Sequence, residues 1–230
     1  GGAMKLFSYY RSSAAWRVRI ALAYKSIPHG TVPVHLTRDG GQQHSESYRE
    51  MNPQGPVPAL VDDDRVFSQS LAIIEYLEET HPDPPLLPPD FAGRAVVRAM
   101  ALGVACDIHP LQNLRVLNYL RGPLGQADAA VADWVRHWIG QGFRSLEELA
   151  RRHGDGRHYL YGDAVTMADC CLVPQMYNAR RFDQDLALLL DHLRGHLRRR
   201  GVLRVDRGDV HGHVTREIGR AALQADQHAD

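Results

Sequence analysis

Residues able to bind an anion lie at a predicted strand-to-helix turn, Arg11-Ser12-Ser13. An apolar stretch at residues 5–9 comes before this turn, and a stretch with helical spacing of apolar residues follows it. Free N–H groups and the positive end of a helix dipole meet at such a turn, so it suits a thiolate or another anion. Serine is also a common helix N-cap, which leaves a purely structural role open.

A second predicted helix begins with Gln69 and Ser70, directly after strand-like residues 65–67. N–H and hydroxyl groups at a helix N-terminus can hold a carboxylate. Capping of the helix is the alternative interpretation.

Val57-Pro58 begins another predicted strand. A proline there has no N–H to donate, so it leaves a position at which a further backbone can pair. If the bond before Pro58 is cis, the turn presents the Val57 backbone to an extended peptide ligand. An ordinary proline-rich loop is the alternative, since cis X-Pro bonds are only about 5% of such bonds. Thr166 and Asp169 have the spacing of a capping box, and we expect them to act in stability alone.

The elements around these motifs predict a small α/β domain followed by an all-helical one. Strand-like pieces cover residues 5–9, 31–35, 58–62 and 65–67, with helices at 15–25 and 69–79. Five prolines between His81 and Asp90 predict a linker over 82–90. Helical spacing then dominates, at 94–107, 111–120, 128–152 and 166–180. We expect domains at 4–81 and 91–230.

The composition argues against several classes of protein. Basic and acidic residues both number 27 in 230 residues, so no overall basic field favours nucleic acid. No apolar run reaches about 18 residues, and the first residues lack the features of a secretory signal. The three cysteines form a poor disulfide framework without metal-ligand spacing. We expect a cytoplasmic protein with no metal, nucleic-acid or membrane partner.

With these motifs in this order, the chain resembles the cytosolic glutathione transferases, and within them the zeta class that includes maleylacetoacetate and maleylpyruvate isomerases. Further matching segments are Arg17-Val18-Arg19-Ile20-Ala21-Leu22, Asp39-Gly40-Gly41-Gln42-Gln43, Pro110-Leu111-Gln112-Asn113-Leu114 and Val165-Thr166-Met167-Ala168-Asp169. The resemblance covers about four-fifths of the chain. It implies a thioredoxin-like N-terminal domain, an all-α C-terminal domain, glutathione as cofactor and a homodimer.

The resemblance also implies roles for individual residues. The expected catalytic residues are Arg11, Ser12 and Ser13, with the Ser12 hydroxyl donating to the glutathione sulfur and favouring its thiolate. The backbone of Val57 is expected to pair with the cysteinyl part of glutathione. The other expected glutathione contacts are Gln69 and Ser70 at the γ-glutamyl carboxylate, Gln43 at the glycyl end, His109 and Asn113.

The reaction that the resemblance implies is a cis–trans isomerisation. The glutathione thiolate adds to a double bond conjugated with a carbonyl, the new single bond rotates, and the thiolate is expelled. Because the substrate is a dicarboxylate, arginine is the residue type expected to bind it. The candidates at motif positions are Arg11, Arg115 and Arg181. Arg115 and residues 106–110 resemble a bacterial maleylpyruvate isomerase, which favours maleylpyruvate over maleylacetoacetate.

Two departures from the family pattern stand out. Ala14 occupies the place of a cysteine found in many zeta enzymes, and isomerisation should survive because it does not need that thiol. From about residue 187 the chain becomes an atypical polar tail. Arg17 and Arg19 are expected in surface or interdomain ion pairs. The alternatives are a general transferase or dehalogenase for small electrophiles, and a non-enzymatic glutathione-binding protein.

Overall fold

The computed structural model describes residues 4–36, 38–154 and 159–182. They separate into two compact units, with the boundary between Leu86 and Leu87. The expectations for the tail from about residue 187 fall outside the described residues. Within these ranges no helix combines the length and apolar character needed to cross a membrane. Nor do three or more His, Cys, Asp or Glu side chains gather there as a possible metal site.

A four-stranded mixed sheet forms the base of the first unit. Its strands are β1 (Lys5–Ser8), β2 (Gly30–Pro33), β3 (Ala59–Asp62) and β4 (Arg65–Ser68), in the order β2-β1-β3-β4. β1 pairs in parallel with β2 and antiparallel with β3, and β4 completes the sheet antiparallel to β3. The helices are α1 (Ser13–Tyr24), α2 (Glu46–Met51) and α3 (Ser70–Thr80). This arrangement confirms the predicted thioredoxin-like α/β fold.

The core of this unit fixes the two helix N-termini that carry the sequence motifs. Leu6 of β1 lies opposite Leu60 of β3, and neither side chain has exposed surface. α1 packs against α3, and both helices bury apolar side chains almost completely: Ile20, Leu22, Ile73, Ile74 and Leu77. Burial of each such side chain contributes about 1.5–3 kcal/mol relative to exposure.

The second unit is helical throughout its described part, which confirms the all-α prediction. Its helices are α4 (Phe91–Leu102), α5 (Leu114–Arg121), α6 (Asp128–His153) and α7 (Met167–Arg181), and α4 packs against α7. The first helix begins three residues earlier than predicted. Asp90 caps it, because its Oδ1 accepts a hydrogen bond from the Gly93 N–H at 2.7 Å.

The region between α4 and α5 differs from the predicted continuous helices. A π-helical turn spans Gly103–Ile108 and a 3-10 turn spans His109–Gln112. Gly142 of α6 allows the close approach of the π-helical turn, because a Cβ at this position would overlap the Ile108 side chain. π-helical turns are rare and occur frequently at functional sites. His109, one of the expected glutathione contacts, directly follows this turn.

α7 begins at the predicted capping box. The Asp169 carboxylate accepts hydrogen bonds from the Thr166 N–H and hydroxyl, both at 2.8 Å, and from the Leu160 N–H at 3.1 Å. Burial raises the pKa of Asp169 to about 6, since the cost of desolvating the charged form exceeds the stabilisation from these donors.

This raised pKa predicts a pH dependence of stability. Between about pH 4 and pH 6 the folded protein keeps a proton on Asp169 that the unfolded chain has lost. The free energy of unfolding should therefore fall by about 3 kcal/mol from this group as the pH rises through that window, and then level off. Urea unfolding from pH 4 to 7, compared between wild type and Asp169→Asn, isolates the contribution. Parallel pH profiles of the two proteins would contradict the prediction.

Candidate active site

Ser12 closes the N-terminus of α1. Its Oγ accepts a hydrogen bond from the Ala15 N–H at 3.1 Å, and its own N–H donates to the Tyr9 carbonyl at 2.9 Å. A serine hydroxyl has one proton to donate as well as lone pairs to accept with. The capping bond uses only a lone pair, so the same hydroxyl can donate to an anion at the turn. Capping and anion binding are therefore compatible, and Ser13 lies buried beside Ser12 as the first residue of α1.

Ser70 is the first residue of α3, and a buried arginine lies against it. Arg17 Nη1 donates to Ser70 Oγ at 3.1 Å, and both residues are buried. The hydroxyl proton of Ser70 is then available for a further acceptor. The guanidinium adds positive charge to the N-terminus of α3, where the helix dipole already favours an anion.

Of the two locations expected for Arg17 and Arg19, the surface is wrong, because Arg17 is 3% exposed and Arg19 5% exposed. Arg19 donates to Ser8 Oγ at 2.8 Å and to the carbonyls of Tyr9 and Tyr10 at 3.3 and 3.2 Å. These bonds satisfy carbonyls of the turn that leads into α1, so Arg19 fixes the backbone of that turn.

Gln69 has an unusual backbone conformation for a residue other than glycine. Its φ is 69° and its ψ is 118°, and its side chain makes no capping hydrogen bond to α3. Its Nε2 instead donates to Gln54 Oε1 at 2.8 Å. Such conformations cost about 1–3 kcal/mol and concentrate at ligand-binding positions. The Gln69 side chain therefore does not cap α3.

Val57 has a buried side chain and an available backbone. The side chain packs with Tyr9, Val34 and Tyr48, and the bond to Pro58 is cis. In the described ranges, neither the N–H nor the carbonyl of Val57 has a hydrogen-bond partner. An extended peptide could pair with both groups.

Two hydrogen bonds to the Pro56 carbonyl fix the loop that carries Val57. Asn52, which is buried, donates from Nδ2 to the Pro56 carbonyl at 2.7 Å, and the Tyr48 hydroxyl donates to the same carbonyl at 3.2 Å. Two side chains of the first unit thus help to fix the position of the Val57 backbone.

Gln43 carries a buried acceptor. Its Nε2 donates to the Leu36 carbonyl at 3.2 Å, while its Oε1 is buried without a hydrogen-bond partner. Gly41 must be glycine here, because its φ is 99° and a Cβ would lie 2.6 Å from Gln43 Nε2. A buried unpaired amide oxygen is costly, so this atom is a candidate to accept a hydrogen bond from a ligand.

One apolar cluster connects the predicted residues of the first unit. Tyr9, whose carbonyl accepts from Ser12, packs in the cluster with Val57, and Leu36 packs against its side. Leu36 in turn accepts from Gln43. The structure therefore brings Ser12, Val57 and Gln43 around the end of β1, and Arg17 connects α1 to Ser70.

Arg11 is exposed and lies over an aromatic ring. Its guanidinium carbon is 5.2 Å from the centroid of the Tyr10 ring. Among the described residues no carboxylate pairs with Arg11. Its charge is therefore free to bind an anionic ligand.

The second unit holds the other predicted residues. Asn113 caps α5, with its Oδ1 accepting from the Arg115 N–H at 3.4 Å, so it has a structural role. His109 begins the 3-10 turn and is partly exposed. Arg115 and Arg181 are exposed on α5 and α7. Two features escaped the sequence analysis, namely the π-helical turn and the role of Arg17. Basic residues inside the otherwise apolar helix α1 were the available signal for the second.

Known protein families match most of the chain. The glutathione S-transferase N-terminal domain family matches residues 6–85, and the glutathione S-transferase C-terminal domain family matches residues 132–199. A probable maleylacetoacetate isomerase of Vibrio cholerae is 50% identical over 182 residues, covering 79% of this chain and 84% of that protein.

Two solved structures extend the comparison to three dimensions. One is the holo structure of a maleyl pyruvate isomerase, a bacterial glutathione S-transferase in the zeta class. It aligns with a TM-score of 0.81 at 39% identity, over 98% of this chain and all of that one. The other is a maleylacetoacetate isomerase from Anaeromyxobacter dehalogenans with dicarboxyethyl glutathione and citrate bound in its active site. It aligns with a TM-score of 0.71 at 40% identity, over 84% of this chain and 88% of that one.

Proposed function

Since the chain belongs to the zeta class of the glutathione transferases, we propose that it is a glutathione-dependent cis–trans isomerase of a maleyl dicarboxylate. The substrate is maleylpyruvate or maleylacetoacetate and the product is the fumaryl isomer. The observation that carries the proposal is the Arg11-Ser12 turn, which places a hydroxyl proton at the N-terminus of α1 beside an arginine that pairs with no carboxylate of the described residues.

The first unit has the groups that glutathione needs. The Val57 backbone pairs with the cysteinyl backbone, and Ser70 with Gln69 binds the γ-glutamyl carboxylate at the N-terminus of α3. The buried Arg17, 3.1 Å from Ser70 Oγ, strengthens the attraction for that carboxylate. The unpaired Gln43 Oε1 accepts a donor from the glycyl end. The fit of glutathione rests on this acceptor and on the Val57 backbone, neither of which has a hydrogen-bond partner among the described residues.

Glutathione, when bound, supplies a thiolate that adds reversibly to the cis double bond and so permits its rotation. The Ser12 hydroxyl donates a hydrogen bond to the sulfur. This bond and the dipole of α1 both favour the thiolate, so they lower the pKa of the thiol. Ser13 lies next to this position. Arg11 neutralises a substrate carboxylate and so supports charge that develops on the adjoining carbonyl.

The second unit contributes the remaining substrate contacts in this proposal. Arg115 and Arg181 bind carboxylate oxygens, and His109 and Asn113 are further glutathione contacts. Both arginines are exposed, and within the described ranges neither is in an ion pair. Arg115 favours maleylpyruvate as the preferred substrate, in line with the resemblance of its segment to a bacterial maleylpyruvate isomerase.

A paired substrate assay tests the function. Purified protein with glutathione should bleach the enol absorbance of maleylpyruvate and show no rate without glutathione. Arg115→Ala should raise KM for maleylpyruvate about tenfold, the value of one charge-assisted hydrogen bond, and leave KM for glutathione unchanged. Arg121→Ala is the matched control, because Arg121 is on the same helix and already pairs with Asp128.

Two results would overturn these assignments. No glutathione-dependent rate on either maleyl substrate, beside good conjugation of a chloronitroaromatic, indicates a general transferase. Equal loss of glutathione and maleylpyruvate binding in Arg115→Ala removes Arg115 from the substrate site.

We also propose a cytoplasmic homodimer. Phe91 is a large apolar side chain with 92% of its surface exposed, and contact with a second copy would cover it. Cys106, Cys170 and Cys171 form no disulfide in the described part of the chain, which fits a reducing compartment.

A further inference from the structure

Tyr10 lies between β1 and α1 with half of its surface exposed, at 50%. Its ring meets the Tyr9 ring edge-on, with centroids 4.8 Å apart, and the His35 ring is 6.5 Å away. Tyr9 and His35 are themselves 5.0 Å apart. The Tyr10 ring therefore has aromatic neighbours within the fold and still exposes part of its surface.

The backbone under this ring is fixed. Arg19, which is buried, donates to the carbonyls of both Tyr9 and Tyr10. Ser12 donates its N–H to the Tyr9 carbonyl, which closes the turn. The position of the Tyr10 ring is consequently set by the same contacts that set the start of α1.

The Arg11 side chain has no comparable hydrogen bond to the described residues. It is exposed, and the contact that the structure records for its guanidinium is the Tyr10 ring, at 5.2 Å. An arginine side chain has many rotamers, and a charge that must first be ordered binds its partner more weakly. A cation over an aromatic face is attracted to it.

We infer that Tyr10 is a positioning residue, which holds the Arg11 guanidinium ready to bind a substrate carboxylate. The inference rests on the proposed role of Arg11 at the substrate. Tyr10 touches neither glutathione nor the reacting carbons in this assignment. It acts on dicarboxylate affinity by limiting the positions of Arg11.

Calorimetric binding of maleate to the full-length protein loaded with S-methylglutathione, which has no thiol to add to the double bond, tests the inference without turnover. Tyr10→Leu removes the ring and should weaken maleate binding about two- to five-fold, the strength expected for an exposed cation–π contact. Tyr10→Phe keeps the ring and should restore wild-type affinity. Glutathione affinity should be unchanged in Tyr10→Leu, and its Tm should remain near that of wild type.

A double-mutant cycle separates positioning from a general structural effect. In an Arg11→Ala background, Tyr10→Leu should cause no further loss of maleate affinity, because its effect passes through Arg11. Equal maleate affinities of wild type and Tyr10→Leu, an undiminished loss in the Arg11→Ala background, or no maleate binding by wild type would each overturn the inference. Maleate binding with the expected cycle but no isomerisation would reject the proposed function and leave the role of Tyr10 standing.

Discussion

Replacing Ser12 by alanine is expected to lower glutathione-dependent isomerisation by about 10- to 150-fold. A hydrogen bond to a charged group is worth about 1.5–3 kcal/mol, and the thiolate loses that bond in the variant. The pKa of the bound glutathione thiol should rise, because the neutral form no longer competes with a hydrogen-bonded anion. Turnover and the ultraviolet absorbance of the bound thiolate measure the two effects.

The structural role of Ser12 needs its own control, since Ser12 also caps α1. Ser12→Ala should lower the free energy of unfolding by about 1 kcal/mol, whereas glycine at an N-cap costs only a few tenths. Ser12→Gly should therefore lose turnover like alanine while it keeps most of the stability. Ser13→Ala shows whether the neighbouring hydroxyl has a share. Wild-type turnover in Ser12→Gly would limit Ser12 to a capping role.

Lys25→Met is expected to lower the free energy of unfolding by about 3–5 kcal/mol. The Lys25 ammonium lies 2.7 Å from the Glu78 carboxylate, with side-chain exposures of 0% and 7%. It also donates to the carbonyls of His81 and Pro84, and Glu78 accepts from the Leu86 N–H. Removal of the lysine leaves a buried carboxylate without its counter-charge and two carbonyls without their donor. Such a loss is a large part of the 5–15 kcal/mol that stabilises a typical domain.

Chemical denaturation of two further variants checks the cause. Arg121→Met breaks the pair with Asp128, whose side chains are 43% and 88% exposed, and should cost only about 0–1 kcal/mol. Lys25→Met combined with Glu78→Gln removes both buried charges, so it should be less destabilised than the sum of the single variants. Strict additivity, or equal losses in Lys25→Met and Arg121→Met, would show that the burial of the pair has no effect.

The part of the fold that the sequence predicts is the part governed by local patterns. The α1 N-terminus at Ser12 and the capping box at Thr166 and Asp169 follow from preferences within four residues of each other. The strands follow from short apolar runs, with differences of one or two residues at their ends. Likewise, the candidate positions at Val57 and Gln69 stand out because a strand or helix begins there.

Local sequence patterns do not predict contacts between residues that are distant in the chain. Arg17 and Ser70 are 53 positions apart, so the apolar surroundings of Arg17 in α1 can indicate its burial but not its partner. The π-helical turn at Gly103–Ile108 depends on the space that Gly142 leaves on α6, which helical periodicity does not record. The partnership of Lys25 with Glu78 was missed for the same reason, since each residue alone resembles an ordinary surface charge.

The Arg17–Ser70 hydrogen bond joins α1, the helix proposed to face the sulfur of glutathione, to α3, the helix proposed to face its γ-glutamyl end. In the proposed site, the N-termini of α1 and α3 bind the tripeptide together, and the buried charge of Arg17 connects them. Fragments of glutathione should not behave as independent ligands, because a shift of either helix N-terminus on binding is passed to the other helix through this hydrogen bond. The summed binding free energies of glutathione fragments would therefore underestimate the binding free energy of the whole tripeptide. Arg17, which causes this difference, makes no contact with glutathione in the proposed site.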